Sequence, residues 1–359
     1  MPSIENQTVY SAGIAWPTWR LSNDSGASIL VTSLGATILE VNVADRHQQL
    51  NDVVLGFKQL KDYQNNSAKF GCVVGPFANR IAKGEFTVDG ISHQLPCNSG
   101  AHHLHGGDGG LHQCHWQLGK AHKELDRVSI ELSCKLKRET SSYPASYRFD
   151  LRYSWTDDNE LVIDYRASAD NNTIINPTQH SYFNLAGVET TATVLDHQLW
   201  INSRKICDVD EAFIPNGSFL DTDSTALDFT TSKTLVDLEQ HSHPLIQQAG
   251  GLDFNWVFDL DRTPKQKQLT LKARLYHPES GRQLSVSSDQ PGLQVYTGNF
   301  LAGEEGKHDQ TYQRHHGICL ETQHFPDAPN HPHFPSVELR PEQVFSSTTI
   351  YHFSTDDNI

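Results

Sequence analysis

Basic side chains are in short supply in this chain. Across 359 residues, 28 Lys and Arg stand against 43 Asp and Glu, a formal net charge of −15 at pH 7. Nucleic acids and anionic membrane surfaces are held by neutralising phosphates with Lys and Arg, so both are excluded as partners and a neutral small molecule fits better. Long apolar runs are missing too. The opening MPSIENQTVYSAGIAWP has neither the basic start nor the unbroken apolar core of a secretory signal, and no stretch suits a bilayer crossing. A soluble, cytoplasmic protein is expected. The six cysteines, at 72, 97, 114, 134, 207 and 319, include no CxxC pair, which points to free thiols rather than a disulfide framework or a zinc site. Repeats, low-complexity tracts and linkers are also lacking, so residues 1–359 are expected to form one domain, as a monomer or a homodimer.

Long amphipathic helical periods are scarce, and only 232–238 reads as the start of a short helix. The dominant period is two. Residues 28–32, 37–43, 128–132, 160–165 and 269–275 are short β-branched or alternating runs, as strands with one buried face require. Asp89-Gly90 has type I′ hairpin chemistry, because both residues tolerate positive φ. Residues 157–159 and 279–281 can turn two more pairs. The pattern predicts an all-β fold, a large antiparallel β-sandwich with few short helices.

Four segments carry polar groups that strand patterning does not explain. In Gly75–Ile81, Asn79 and Arg80 are adjacent and would point to opposite faces of a strand. Arg80 is then a donor to hydroxyls or to a carboxylate while Asn79 braces a loop, or else a surface Arg at a strand end. In 98–107, His102, His103 and His105 crowd a Gly-flanked loop, open to three readings: a metal site, an imidazole facing a pocket, or an ordinary loop. In 176–187, His180 is either laid into a cavity, with Asn176 and Asn184 satisfying irregular backbone, or a satisfied core histidine. In 317–330, an apolar run leads straight into Glu321, which is either partly desolvated and therefore more basic, or a surface strand end. Asp253 and Gln294 add an acceptor carboxylate and a bifunctional amide of the kind sugar sites use.

Taken in order, Asn79-Arg80-Ile81, Leu104-His105-Gly106-Gly107, His180–Leu185, Tyr296–Asn299 and Leu320–Gln323 with Pro326–Asn330 resemble the successive signatures of the aldose 1-epimerases, or galactose mutarotases. The resemblance covers the chain from about residue 30 to its end. It implies a supersandwich with the sugar on a concave face, and isomerase activity on free hexoses without a cofactor or metal. It also implies Glu321 as base, His180 as acid and His105 as a supporting histidine, with Asn79, Arg80, Asp253 and Gln294 on the substrate. Departures from the family pattern are Pro76-Phe77, Ala101-His102, His112-Gln113, Gln179 and Leu252. They leave the proton-transfer groups intact and bear on which sugar fits.

Interconverting anomers requires only that the anomeric hydroxyl lose a proton while the ring oxygen gains one. A carboxylate Glu321 and a protonated His180 on opposite sides of the sugar would suffice. Three competitors remain. A hexose 6-phosphate epimerase would want a basic cluster for the phosphate, a sugar-binding protein would not need a matched acid and base, and a glycoside hydrolase would need a second carboxylate, for which Asp253 is the candidate.

Overall fold

In the computed structural model, which describes residues 1–238, 241–258 and 268–356, three antiparallel sheets hold most of the strand residues. A five-stranded sheet runs in chain order from Ser3–Ser11 to Leu50–Asp52. A nine-stranded sheet is ordered Gln117–Lys123, Arg127–Leu136, Tyr147–Thr156, Glu160–Ala169, Phe345–Thr355, Arg282–Ser288, Thr270–Tyr276, Gln198–Ile201 and Lys233–Thr234. The third has six strands in the order Tyr182–Phe183, Ile318–Gln323, Gly292–Tyr296, Asp253–Val257, Lys205–Val209 and Pro215–Asp221. The predicted β-sandwich is thus observed. Among the described residues α-helix is confined to Arg138–Ser141 and Pro244–Ala249, and no helix is long and apolar enough to cross a membrane.

The predicted strands lie within one or two residues of where the alternation begins, and two of them, Arg127–Leu136 and Glu160–Ala169, run beyond their predicted ends. The Asp89-Gly90 hairpin joins Glu85–Val88 to Ile91–Gln94, with φ of 50° and 75° at its two central residues. One expectation fails. Residues 232–238 form no helix: Lys233–Thr234 pairs with Gln198 and Leu199, and the chain then turns. The apolar spacing of Leu235 and Leu238 serves a single turn, closed by the Leu238 amide donating to Leu235 O, that drops both side chains into the core. All six cysteines are free thiols.

Alternation along three central strands of the six-stranded sheet decides what faces where. Ile318, Leu320, Leu293, Val295, Phe254 and Trp256 point into the main core, which also holds Ile163, Val286 and Phe353 of the nine-stranded sheet. Tyr351 OH donates to Leu320 O at 2.7 Å, tying the two sheets together across that core. With the apolar set committed inward, the intervening residues must share the opposite face. The register places Asn255, Gln294 and Glu321 in one cross-strand row and Asp253, Tyr296, Cys319 and Tyr182 in the next.

Candidate active site

From those two rows Glu321, Gln294, Asp253, Tyr296 and Tyr182 form the floor of a cavity of about 490 Å³, inside the usual range for small-molecule sites. All seven residues singled out from the sequence line it: Asn79, Arg80, His105, His180, Asp253, Gln294 and Glu321. They come from separate stretches of the chain and meet only here.

Glu321 is buried to 2 % exposure, and its Oε2 has no hydrogen-bond partner among the described residues. Burial is the first cause that lifts its carboxyl well above the ordinary range; the nearby Asp253 charge adds to this and Arg80 opposes it. The surface reading of Glu321 is therefore overturned.

His180 sits between two short strands. Its amide donates to Cys72 O at 2.9 Å and its carbonyl accepts from the Gly71 amide at 3.0 Å. Nε2 lies 3.7 Å from Glu321 Oε1, and Nδ1 lies 3.6 Å from Cys319 Sγ. Burial pushes the imidazole down to about 4, with Lys69 contributing. Burial thus opposes the protonated form expected of His180, and it holds the Glu321 carboxyl 3.7 Å away toward its neutral form as well. The expectation that acid and base stand on opposite sides of a sugar also gives way: they are neighbours on one floor. As foreseen, Asn176 and Asn184 serve irregular backbone, bonding the His324 amide and the Ala192 and His316 carbonyls respectively.

His105 and Asn79 hold each other. The Asn79 amide donates to His105 Nδ1 at 3.2 Å while the His105 amide donates to Asn79 O at 3.1 Å. Both residues take positive φ, 53° and 66°, which lets two loops turn toward the same cavity. Asn79 is therefore not on the face opposite Arg80, as a regular strand would require; its Oδ1 accepts the Arg80 amide at 2.8 Å. With Nδ1 occupied as an acceptor, the His105 proton is left on Nε2. Burial and the neighbouring His180 keep this imidazole well below its usual range.

Arg80 faces a carboxylate, one of its two foreseen roles. Its Nη2 is 3.6 Å from Asp253 Oδ2, and its guanidinium lies 5.2 Å from the centre of the Phe213 ring. Gln294 donates from Nε2 to Asp253 Oδ1 at 2.6 Å, leaving Oε1 unpartnered among the described residues.

The loop histidines separate cleanly. Only His105 reaches the cavity; His103 is buried with Nδ1 against Pro96 O and Nε2 against Tyr143 OH, a satisfied core histidine, and His102 Nδ1 accepts the Lys83 amide. His180, Cys319 and Glu321 bring donor atoms within 4.8 Å of one another. However, the imidazole meets the thiol with Nδ1 and the carboxylate with Nε2, on opposite ring edges, whereas a metal centre gathers its ligands around one ring nitrogen.

None of Pro76, Phe77, Ala101, His102, His112, Gln113, Gln179 or Leu252 lines the cavity, so the departures noted in the sequence lie outside its wall. Gln179, for example, accepts from Tyr153 OH at 2.8 Å in the core. What sequence reasoning missed is the rim: Lys69, Asp108 and Phe300. Phe300 is 60 % exposed yet stacked on Tyr296 at 5.9 Å, its amide donating to Tyr296 OH. A loop Lys or Phe carries no periodic signal that would have marked it.

Comparison with known proteins agrees with this geometry. The aldose 1-epimerase family model matches residues 17–352. The chain is 41 % identical over 325 residues to a galactose mutarotase of Sus scrofa, covering 90 % of each chain, and 30 % identical over 335 residues to an aldose 1-epimerase of Escherichia coli, covering 93 % and 94 %. Among solved structures, an aldose epimerase homologue from C. elegans superposes with a TM-score of 0.84 at 27 % identity, covering 98 % of this chain and 99 % of the other. A galactose 1-epimerase from Lactobacillus acidophilus gives 0.83 at 25 %, covering 99 % of both. A sequence that keeps the family's motifs in order and folds them into one cavity leaves a single assignment: the chain belongs to the aldose 1-epimerase family and is an isomerase.

Proposed function

We propose that the protein interconverts the α and β anomers of free hexoses such as galactose or glucose, with Glu321 as base and His180 as acid, as a single catalytic domain. The observation that carries this reading is the 3.7 Å approach of His180 Nε2 to Glu321 Oε1 on the floor of the cavity. The anomeric oxygen and the ring oxygen are bonded to the same carbon, so the groups that deprotonate one and protonate the other must be neighbours.

The pair carries one proton. In the forward step Glu321 takes the proton of the anomeric hydroxyl, His180 delivers one to the ring oxygen, the bond between C1 and the ring oxygen breaks, and an aldehyde remains. Rotation about the adjacent carbon–carbon bond presents the other carbonyl face, and both transfers reverse. The pair begins as carboxylate and imidazolium and ends as carboxylic acid and imidazole. Burial favours that second, neutral arrangement. Since the resting pair is already neutral, a proton first crosses from Glu321 to His180. His105, with its proton on Nε2, donates to the oxygen that gains negative charge, while Arg80, Asn79, Asp253 and Gln294 hold hydroxyls. Each well-placed proton-transfer group typically contributes about 10²–10⁴-fold, ample for a reaction that already runs slowly in water.

Polarimetry of α-anomers of several free aldoses, with and without chelator, tests the proposal. Turnover of galactose or glucose unaffected by chelator is expected. Lys69 joins Arg80 in the cavity as a second basic side chain, so the same panel includes the 6-phosphates. Turnover confined to those would replace free hexoses as the substrate.

A further inference from the structure

The two basic side chains of the cavity differ in what they face. Arg80 is matched by Asp253, whereas Lys69 forms no ion pair among the described residues, and its Nζ donates to Asn66 O at 3.2 Å. The loop that carries Lys69 is tightly held. Asn66, itself buried, brackets Phe70, with Nδ2 donating to Phe70 O at 2.9 Å and Oδ1 accepting the Phe70 amide at 2.8 Å. Between them Lys69 takes a φ of 62°, a left-handed conformation that lysine seldom adopts and that the surrounding bonds keep in place.

The same loop is fastened to the His180 side of the floor. The Gly71 amide donates to His180 O, the His180 amide donates to Cys72 O, and Tyr182 OH donates to Ala68 O at 2.8 Å. Glu321 is flanked instead by Gln294, its register partner, with Asp253 and Arg80 beyond. Charge follows the same division: His180 senses Lys69, while Glu321 senses Asp253 and Arg80. The floor thus runs from Gln294 through Glu321 and His180 to Lys69.

We infer that Lys69 is a specificity-determining residue: its ammonium donates to the oxygen on C6 of the sugar and selects hexoses over 6-deoxyhexoses and pentoses. This rests on the reading of Glu321 as base and His180 as acid, because that reading orients the ring. The anomeric oxygen then lies at Glu321 and the ring oxygen at His180. The ring oxygen joins C1 to C5, and C5 carries C6, so the C6 substituent extends past His180 to where Lys69 stands. The C2 and C3 hydroxyls fall on the other side, toward Gln294 and Asp253. Opening breaks the bond between C1 and the ring oxygen and leaves C5 and C6 joined, so the contact persists while the aldehyde turns about the C1–C2 bond. Lys69 thereby keeps the C5 oxygen beside His180 for reclosure. A contact made alike in the ring, the transition state and the open chain acts on binding more than on kcat.

Polarimetric initial rates on galactose, 6-deoxygalactose and the pentose of matching configuration test the contact. The unsubstituted protein is expected to favour galactose over both by at least about tenfold in kcat/KM, the size of a hydrogen bond to a charged group, with most of the difference in KM. Lys69→Met should bring that ratio to within about twofold of one, through loss on galactose. Lys69→Arg, which keeps a cation, should retain most of the preference. Lys69→Asn, whose residue type tolerates positive φ, gives the same readout as the methionine variant should that variant fold poorly. An unsubstituted protein indifferent to the C6 oxygen overturns the inference, and so does a preference that survives Lys69→Met or Lys69→Asn. Calorimetric dissociation constants for galactose and 6-deoxygalactose in Glu321→Gln read the same ratio without turnover. Near-normal turnover by Glu321→Gln sinks the base assignment, whereas a binding ratio near one sinks the C6 contact.

Discussion

Arg80 Nη2 stands 3.6 Å from Asp253 Oδ2, and this pairing sets the charge that Glu321 senses. Asp253 pushes the Glu321 carboxyl upward and Arg80 pulls it down, both beneath the larger effect of burial. The protonation of Glu321 is thereby tuned by two residues proposed to hold substrate.

Asp253→Asn removes the negative charge, so Glu321 should ionise more easily and the acid limb of the kcat/KM profile should move to lower pH. Arg80→Gln should move it to higher pH. Polarimetric rates across the acid range check both signs, and shifts in the same direction for the two variants would contradict the electrostatic account.

Glu321→Gln keeps the shape of the base without its proton affinity, and the rate above spontaneous mutarotation should fall at least about a hundredfold. His180→Asn should do comparable damage. Near-normal turnover in either variant counts against the corresponding role.

Gln294→Ala should raise KM more than it lowers kcat, because contacts to hydroxyls are made in ground and transition states alike. The partition between KM and kcat, from initial rates over a range of sugar concentration, is the measurement.

Stability should change in the opposite sense to activity. The folded protein binds a proton on Glu321 more tightly than the unfolded chain does, so the stability this confers is full below the ordinary carboxyl pKa and is lost as pH rises through the elevated one. Relative to wild type, Glu321→Gln should gain about 1 kcal/mol near neutral pH, with little gain near pH 4. For His180 the sign reverses: folding depresses it to about 4, so stability is lost as pH falls from its ordinary 6.5 toward that value. Urea unfolding at several pH values reads both.

Gly106, next to His105, has φ of 84°, and a Cβ there would lie 1.9 Å from Gly75 O. Gly106→Ala should therefore cost at least about 2 kcal/mol and displace His105, seen as a lower unfolding midpoint together with reduced kcat.

Much of this was legible in the linear chain. Alternation at 28–32, 160–165 and 269–275 and the Asp89-Gly90 turn specify strands and a hairpin, because a side chain's face depends only on its parity and positive φ only on residue type. The seven site residues stood out as polar groups amid motifs that strand packing does not need. Residues 232–238 misled because the apolar spacing of one turn is shared by turns and helices alike, and pairing with Gln198 and Leu199 decided between them.

By itself the sequence determined which residue types are at hand and which strand face each would take, since those follow from local stereochemistry. Tertiary structure decided distances and charge states. That Glu321 and His180 are 3.7 Å apart, that both are held toward neutrality, that His103 is core while His105 lines the cavity, and that Cys319 lies behind His180 all depend on loops and strands remote in the chain being pressed together. The physical reason is that desolvation and Coulomb interaction act through space, and burial is set by what other segments cover.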